Sequence, residues 1–291
     1  MDSSTPVFVL CSPRCGSTLL RVMLAGNRFL FAPPELHLMQ YDNLAERDQQ
    51  MDAGKFMAVG LVKALAGLDD ITMKAAQKQV RAWCDQGLSS GEVYAQLIQR
   101  CAPRVLVDKT PTYSEEPATL ERIYTLFPNA KFIHLIRHPY AVMDSVMRLN
   151  QKPLVRQFVF RDEIHGQQHA EQVWRQANQN CVRFLGALPA EQHLSLRYED
   201  LVRDPENSMG RVCTFLDVPY EEAMVHPYQG DRMTAGIAIG DVNFHNHKTI
   251  DAGLADIWQE RVPNQPISSE SQQLAAAFGY RCPQPDAALV D

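Results

Sequence analysis

The chain has 291 residues, 45% of them hydrophobic, and a formal net charge of −6: enough apolar content for one large α/β domain, and the wrong sign for a nucleic-acid partner. Seven cysteines at irregular spacing do not form a disulfide framework and point to a reducing, cytoplasmic setting. The polar start MDSSTP and the lack of any apolar run of roughly eighteen residues predict neither a signal peptide nor a membrane anchor.

In chain order, Val7 to Leu10 form an apolar, β-branched strand, SPRCGS a tight loop, and Leu19, Leu20, Met23 and Leu24 recur at helical spacing. Such a strand, loop and helix gather backbone N–H groups and the positive end of a helix around one point, which suits a multiply charged anion. The loop departs from the nucleoside-triphosphate pattern G-x-x-x-x-G-K-[ST]. Cys11 stands at the first glycine and Ser17 at the lysine, so Gly16 and Thr18 remain and Arg14 is the cation. A planar guanidinium grips a phosphate or sulfate through two parallel hydrogen bonds.

FAPPELHLM, with Glu35 and His37, reads as a proline-rich turn, and the apolar spacing that follows predicts an all-helical insertion over about residues 44–101. PRVLVDKTP is a short buried strand ending in Asp108, Lys109 and Thr110. EPATLERIYTLFP is a helix between Pro117 and Pro128, and AKFIHLI the next strand. A helix from Pro139 to about Leu149, a loop with Arg156 and Arg161, a long helix near Gln167 to Leu188, the strand HLSLRYEDL and a helix from Pro205 to Leu216 complete the pattern. Strands alternating with helices predict an α/β fold: a P-loop-like parallel sheet flanked by helices, one domain over residues 1–291, with a proline-containing tail at about 282–291 read as a linker.

Ligands of such sheets lie at the carboxyl ends of the strands. Arg14, Lys109, Arg137 and the pair Arg197 and Tyr198 fall there. A nucleoside triphosphatase places an aspartate after the apolar strand to hold magnesium, whereas this chain places Arg137, the mark of a second anionic group bound without a metal. His165 with His169, and His245 with His247, have chelate spacing but no third ligand, and H-E-x-x-H is absent, so no metal site is predicted.

SPRCGSTLL, LIRHPYAVMDSVM with Arg137 and Ser145 eight residues apart, DKTPTY, LRYEDLVRDPE and MGRVCTFLDVPYE together resemble the sulfotransferases that use 3′-phosphoadenosine 5′-phosphosulfate (PAPS), over residues 7–225. The resemblance implies that Arg14, Cys15, Gly16, Ser17, Thr18 and Leu19 hold the 5′-phosphosulfate and that Arg137 and Ser145 hold the 3′-phosphate. Tyr198 and Lys248 would lie by the nucleotide, and the product would be PAP. Cys15 departs from the serine that relatives often carry, and a thiol is the poorer donor.

Sulfuryl transfer needs an in-line nucleophile, a group to take its proton, and a cation on the leaving oxygen. Glu35 is the candidate base, because some branches of the family use a glutamate soon after the first helix, and burial is expected to raise its pKa. Lys109 is the candidate cation; His37, His245 and His247 are rival bases. FAPPELHL, with NFHNHKTID later, looks most like the sulfotransferase domains of polyketide synthases that form terminal alkenes. That likeness implies a 3-hydroxyacyl chain on an acyl carrier protein as acceptor, activated for decarboxylation in a neighbouring thioesterase domain. His37 and Arg148 with Arg156 would then meet the acceptor, the arginines, with Arg161, as landing sites for the carrier's phosphate. A free-standing enzyme for a small alcohol, glycan or tyrosine, a P-loop kinase, and a non-catalytic nucleotide-binding module stay open.

Overall fold

The computed structural model describes residues 4–51, 55–150, 166–230, 232, 244 and 247–283. Five strands are described: β1 (Val7–Cys11), β2 (Leu30–Phe31), β3 (Val105–Lys109), β4 (Lys131–Ile136) and β5 (His193–Arg197). They form one sheet of order β2-β3-β1-β4-β5, and every pairing is parallel. Every residue of VFVLC in central β1 is apolar and buried, as a strand covered on both faces requires.

The helices are α1 (Ser17–Leu24), α2 (Leu44–Met51), α3 (Lys55–Asp69), α4 (Met73–Asp85), α5 (Ser90–Cys101), α6 (Pro117–Leu126), α7 (Pro139–Asn150), α8 (Gln167–Leu185), α9 (Tyr198–Arg203), α10 (Pro205–Leu216) and α11 (Ser269–Ala277). The two-residue period of β1 sorts them into layers. Val7, Val9 and Cys11 pack with Leu20 and Met23 of α1 and Val212 and Leu216 of α10. Phe8 and Leu10 face the other way, onto Leu61 of α3, Tyr94 of α5, Ile123 of α6 and Leu185 of α8.

The insertion expected over 44–101 resolves into α2 to α5. Its last helix starts with a reciprocal cap: Ser89 Oγ accepts from Glu92 N while Glu92 accepts from Ser89 N, at 3.3 and 2.8 Å. A buried polar knot fastens the insertion to the sheet. Tyr94 of α5 and Tyr113 both donate to Asp108 Oδ2 of β3, the latter at 2.9 Å, and Thr110 Oγ1 donates to Asp108 Oδ1 at 2.8 Å. Burial raises the Asp108 carboxyl, against the pull of these donors.

Some boundaries differ from the sequence reading. The long helix stops at Leu185, before Gly186, and HLSLRYEDL divides at Arg197, with YEDLVR helical as α9. β2 and α11 carry no signal in the sequence reading. None of the described helices is long and apolar enough to cross a membrane.

Candidate active site

The sheet brings Arg14, Lys109, Arg137 and Arg197 to its carboxyl edge. Between β1 and α1 the backbone turns through left-handed positions at Arg14 (φ 67) and Gly16 (φ 88), and Gly16 caps α1 without a side-chain bond, so the first N–H groups of the helix face the loop. A Cβ on Gly16 would lie 2.3 Å from Cε2 of Tyr198, so the tyrosine ring packs against the glycine and only hydrogen fits. Tyr198 opens α9, and the Arg137 guanidinium lies over its ring at 4.2 Å.

These contacts join the two halves of the expected donor site. Arg14 Nε donates to Ser145 Oγ of α7 at 3.1 Å, and Arg137 Nη1 donates to the carbonyl of Arg14 at 3.3 Å. Ser17, Thr18 and Leu19 are buried on α1. Cys15 is fully buried in the core cluster with Cys11, so its side chain serves packing and its backbone alone faces the loop.

Four residues that the sequence reading did not single out, Trp174, His138, Glu199 and Tyr280, complete this rim. Trp174 Nε1 of α8 donates to the carbonyl of Arg137 at 2.9 Å, and Glu199 accepts from His138 N at 2.9 Å and from Tyr280 at 2.6 Å, fixing the backbone that carries Arg137. Ser12 Oγ and Arg137 Nε are buried without a hydrogen-bond partner. Buried donors of this kind are costly to leave unmade, and here they lie in the loop and at the strand end where an anion would be held.

Beside the loop stands a second polar chain. Lys109, buried at the end of β3, pairs with Glu35 Oε1; His37 Nε2 meets Glu35 Oε2 at 3.3 Å, and His37 Nδ1 meets Thr112 Oγ1 at 3.3 Å. Burial alone would raise the Glu35 carboxyl, but the Lys109 ammonium and then His37 reverse that and hold it at about 2. The expectation of a raised pKa is therefore overturned: the carboxylate is largely buried, yet it is supplied with a counter-ion. In the sheet Lys109 of β3 stands opposite Val9 of β1, two residues before the strand ends at Cys11, which places the Glu35 pair next to the loop.

The turn carrying Glu35 is fixed from several sides. Thr110 Oγ1 accepts from Leu36 N at 3.2 Å and Tyr113 from Leu38 N at 2.9 Å, while Arg47 of α2 donates to the carbonyls of His37 and Leu36 at 2.9 and 3.0 Å. His37 adopts φ 49, a conformation that costs a non-glycine residue on the order of 1–2 kcal/mol and needs such support. His37 is 2% exposed, behind Glu35, where it orients the carboxylate.

The remaining described candidates make their contacts elsewhere. Arg148 is half exposed and held by Asp144 at 2.7 Å on its own helix. His247 is half-buried, with its ring 6.4 Å from Tyr228, and Lys248 is exposed. Arg156, Arg161, His165 and His245 lie outside the described residues. Among the described residues, no group of three His, Cys, Asp or Glu side chains is placed to hold a metal.

The sulfotransferase domain from the curacin biosynthetic pathway superposes with a TM-score of 0.89 at 43% identity, covering 96% of this chain and 99% of that one. The sulfotransferase domain of the Synechococcus PCC 7002 olefin synthase gives 0.87 at 39% identity, covering 96% of each. Nodulation protein NoeE of Sinorhizobium fredii is 26% identical over 92% of the chain, and the Drosophila melanogaster protein-tyrosine sulfotransferase 22% identical over 94%. The chain spans only 63% and 51% of the length of those two proteins. The profile of the Sulfotransferase family matches residues 6–222, a span that contains the loop, Glu35, Lys109, Arg137, Ser145 and Tyr198. By that match and by its fold, the chain belongs to the sulfotransferase family, a family of transferases.

Proposed function

We propose that the protein transfers the sulfo group of PAPS to a hydroxyl, and that the hydroxyl is the 3-hydroxyl of an acyl chain on an acyl carrier protein. The observation that carries the donor assignment is the linked set Arg14, Ser145, Arg137 and Tyr198, with unpartnered Ser12 Oγ and Arg137 Nε beside a loop that admits only glycine at position 16. In this reading the loop N–H groups and Arg14 hold the phosphosulfate, Arg137 and Ser145 the 3′-phosphate, and Tyr198 the nucleotide. The donor supplies an electrophilic sulfur with a phosphate leaving group.

The protein's own residues do the rest. Glu35 takes the acceptor proton as the new O–S bond forms and the bond from sulfur to the phosphate oxygen breaks. Lys109 meets the charge on the departing oxygen. As the ammonium turns from Glu35 to that oxygen, the burial that raises the carboxyl is left less opposed, so the base strengthens as the leaving group needs its cation.

Identity of 43% and 39% over nearly the whole chain to two such domains, one from an olefin synthase, supports the carrier-bound acceptor. Sulfate leaves far more readily than hydroxide, so the product is primed for decarboxylation to an alkene in a neighbouring thioesterase. Mass spectrometry of a 3-hydroxyacyl carrier protein incubated with the protein and PAPS tests this. The expected result is a gain of one sulfo group; an unmodified carrier with PAP still raising the Tm would redirect the search to other alcohols, and no effect of PAP would overturn the donor assignment.

A further inference from the structure

The turn that carries Glu35 belongs to no helix or strand, and two residues of the helical insertion close on it. Arg47 of α2 is 0% exposed, and its guanidinium forks onto two successive carbonyls: Nε to His37 at 2.9 Å and Nη2 to Leu36 at 3.0 Å. Its Nη1 lies 3.4 Å from Asp48 Oδ1. Gly60 of α3 lies so close that a Cβ there would be 1.8 Å from the carbonyl oxygen of Glu35 and 3.4 Å from the carbonyl carbon of Pro34. Three consecutive carbonyls, of residues 35, 36 and 37, are thus set by the insertion, while Thr110 and Tyr113 set the N–H groups of residues 36 and 38 from the sheet side.

A guanidinium is expensive to bury, and an apolar side chain of the same length would fill the space more cheaply. The fork does what an apolar side chain does not: it holds two adjacent carbonyls at a fixed angle and so supports the left-handed turn at His37. Through that turn it fixes where Glu35 Oε1 and Oε2 meet Lys109 and His37.

We infer that Arg47 is a positioning residue of the active site, aiming Glu35 at the acceptor hydroxyl through the carbonyls of Leu36 and His37, with Gly60 as the surface against which the turn is set. The helical insertion is in this sense part of the catalytic apparatus. The inference rests on the reading of Glu35 as the base.

The test compares Arg47→Met, Arg47→Lys and Gly60→Ala with Glu35→Gln, measuring kcat and KM for sulfo transfer and PAP affinity by calorimetry. Arg47→Met is expected to lower kcat about a hundredfold with PAP affinity within about twofold of wild type, the loss typical of a reacting group displaced by about an ångström. Arg47→Lys, which keeps the charge but loses the fork, should recover part of that loss. Gly60→Ala sets a methyl group against the Glu35 carbonyl, so the turn or α3 must move; with Arg47→Lys it carries the test if Arg47→Met does not fold, and a low kcat with intact PAP binding is expected. Wild-type kcat in Arg47→Met or Gly60→Ala, with Glu35→Gln inactive, would overturn the positioning role. Full activity in Glu35→Gln would instead remove the base assignment on which it rests.

Discussion

Lys109 and Glu35 form an ion pair at the end of β3 in which the lysine is 2% exposed and the carboxylate 26%. Because the folded Glu35 carboxyl lies near 2, below its ordinary value, the pairing contributes stability above that ordinary value and loses it as the pH falls toward 2. In Lys109→Met the burial that raises the carboxyl is no longer opposed by the lysine, so the acid limb of the kcat/KM profile should move to higher pH, and kcat should fall at least tenfold for want of a cation on the leaving oxygen. An unchanged acid limb would show that Glu35 does not titrate in the rate.

Gly16 and Tyr198 are in contact that leaves no room for a methyl group, and the φ of 88 at Gly16 adds strain for any other residue. Gly16→Ala should weaken PAP binding by a factor of ten or more, through about 1–3 kcal/mol of backbone strain and a displaced Tyr198. Calorimetry on Gly16→Ala and on Gly16→Ala with Tyr198→Ala separates the two causes: recovery in the double variant shows the clash to dominate.

Arg137 presents a buried Nε without a partner and a guanidinium stacked on Tyr198. Arg137→Lys keeps the charge and loses the fork and the stack, so PAP should bind roughly 10–100-fold less tightly. Adenosine 5′-phosphate, which lacks the 3′-phosphate, should lose little. Equal weakening of both ligands in calorimetric titrations would place Arg137 elsewhere on the nucleotide.

His134 and His138 are buried, and burial lowers both to about 4. His134 Nε2 meets Asn178 Oδ1 at 3.1 Å, and His138 stacks on Trp258 at 4.0 Å with Nε2 donating to the carbonyl of Arg281 at 2.9 Å. A histidine depressed by folding stabilises the fold above its unfolded pKa, and that stability is lost as pH falls through the window from about 6.5 to 4, by about 3 kcal/mol for each residue at the lower end. Thermal melting should show a Tm that drops steadily from pH 7 to pH 5; a flat Tm over that range would contradict the buried neutral state.

The sequence reading reached the sheet and the strand, loop and helix around Arg14 and Gly16 because their signals are local. VFVL and VLV are continuous apolar runs and FIHLI is one broken only by His134, and Arg14, Arg137 and Ser145 lie at motif spacing next to them. β2 escaped because two residues, Leu30 and Phe31, have no period and are strand only through pairing with Val105 and Leu106. α11 escaped because its buried positions are Ser271 and Ala275, too small to mark an apolar face. The direction of the Glu35 shift depended on Lys109, which is 74 residues away in sequence, and the fork from Arg47 on a turn whose shape no local pattern encodes.

The knot of Tyr94, Tyr113 and Thr110 on Asp108 limits how this protein can be re-engineered. Helices α2 to α5 look like a cassette that could be exchanged to alter acceptor choice, since they enter and leave the sheet at neighbouring points. One of the phenols that solvate a carboxylate deep in β3 comes from within the cassette, however. A graft lacking a phenol at the place of Tyr94 would strand a buried acid beside Lys109, so transplants should succeed only when that tyrosine, or an apolar replacement for Asp108, travels with the helices.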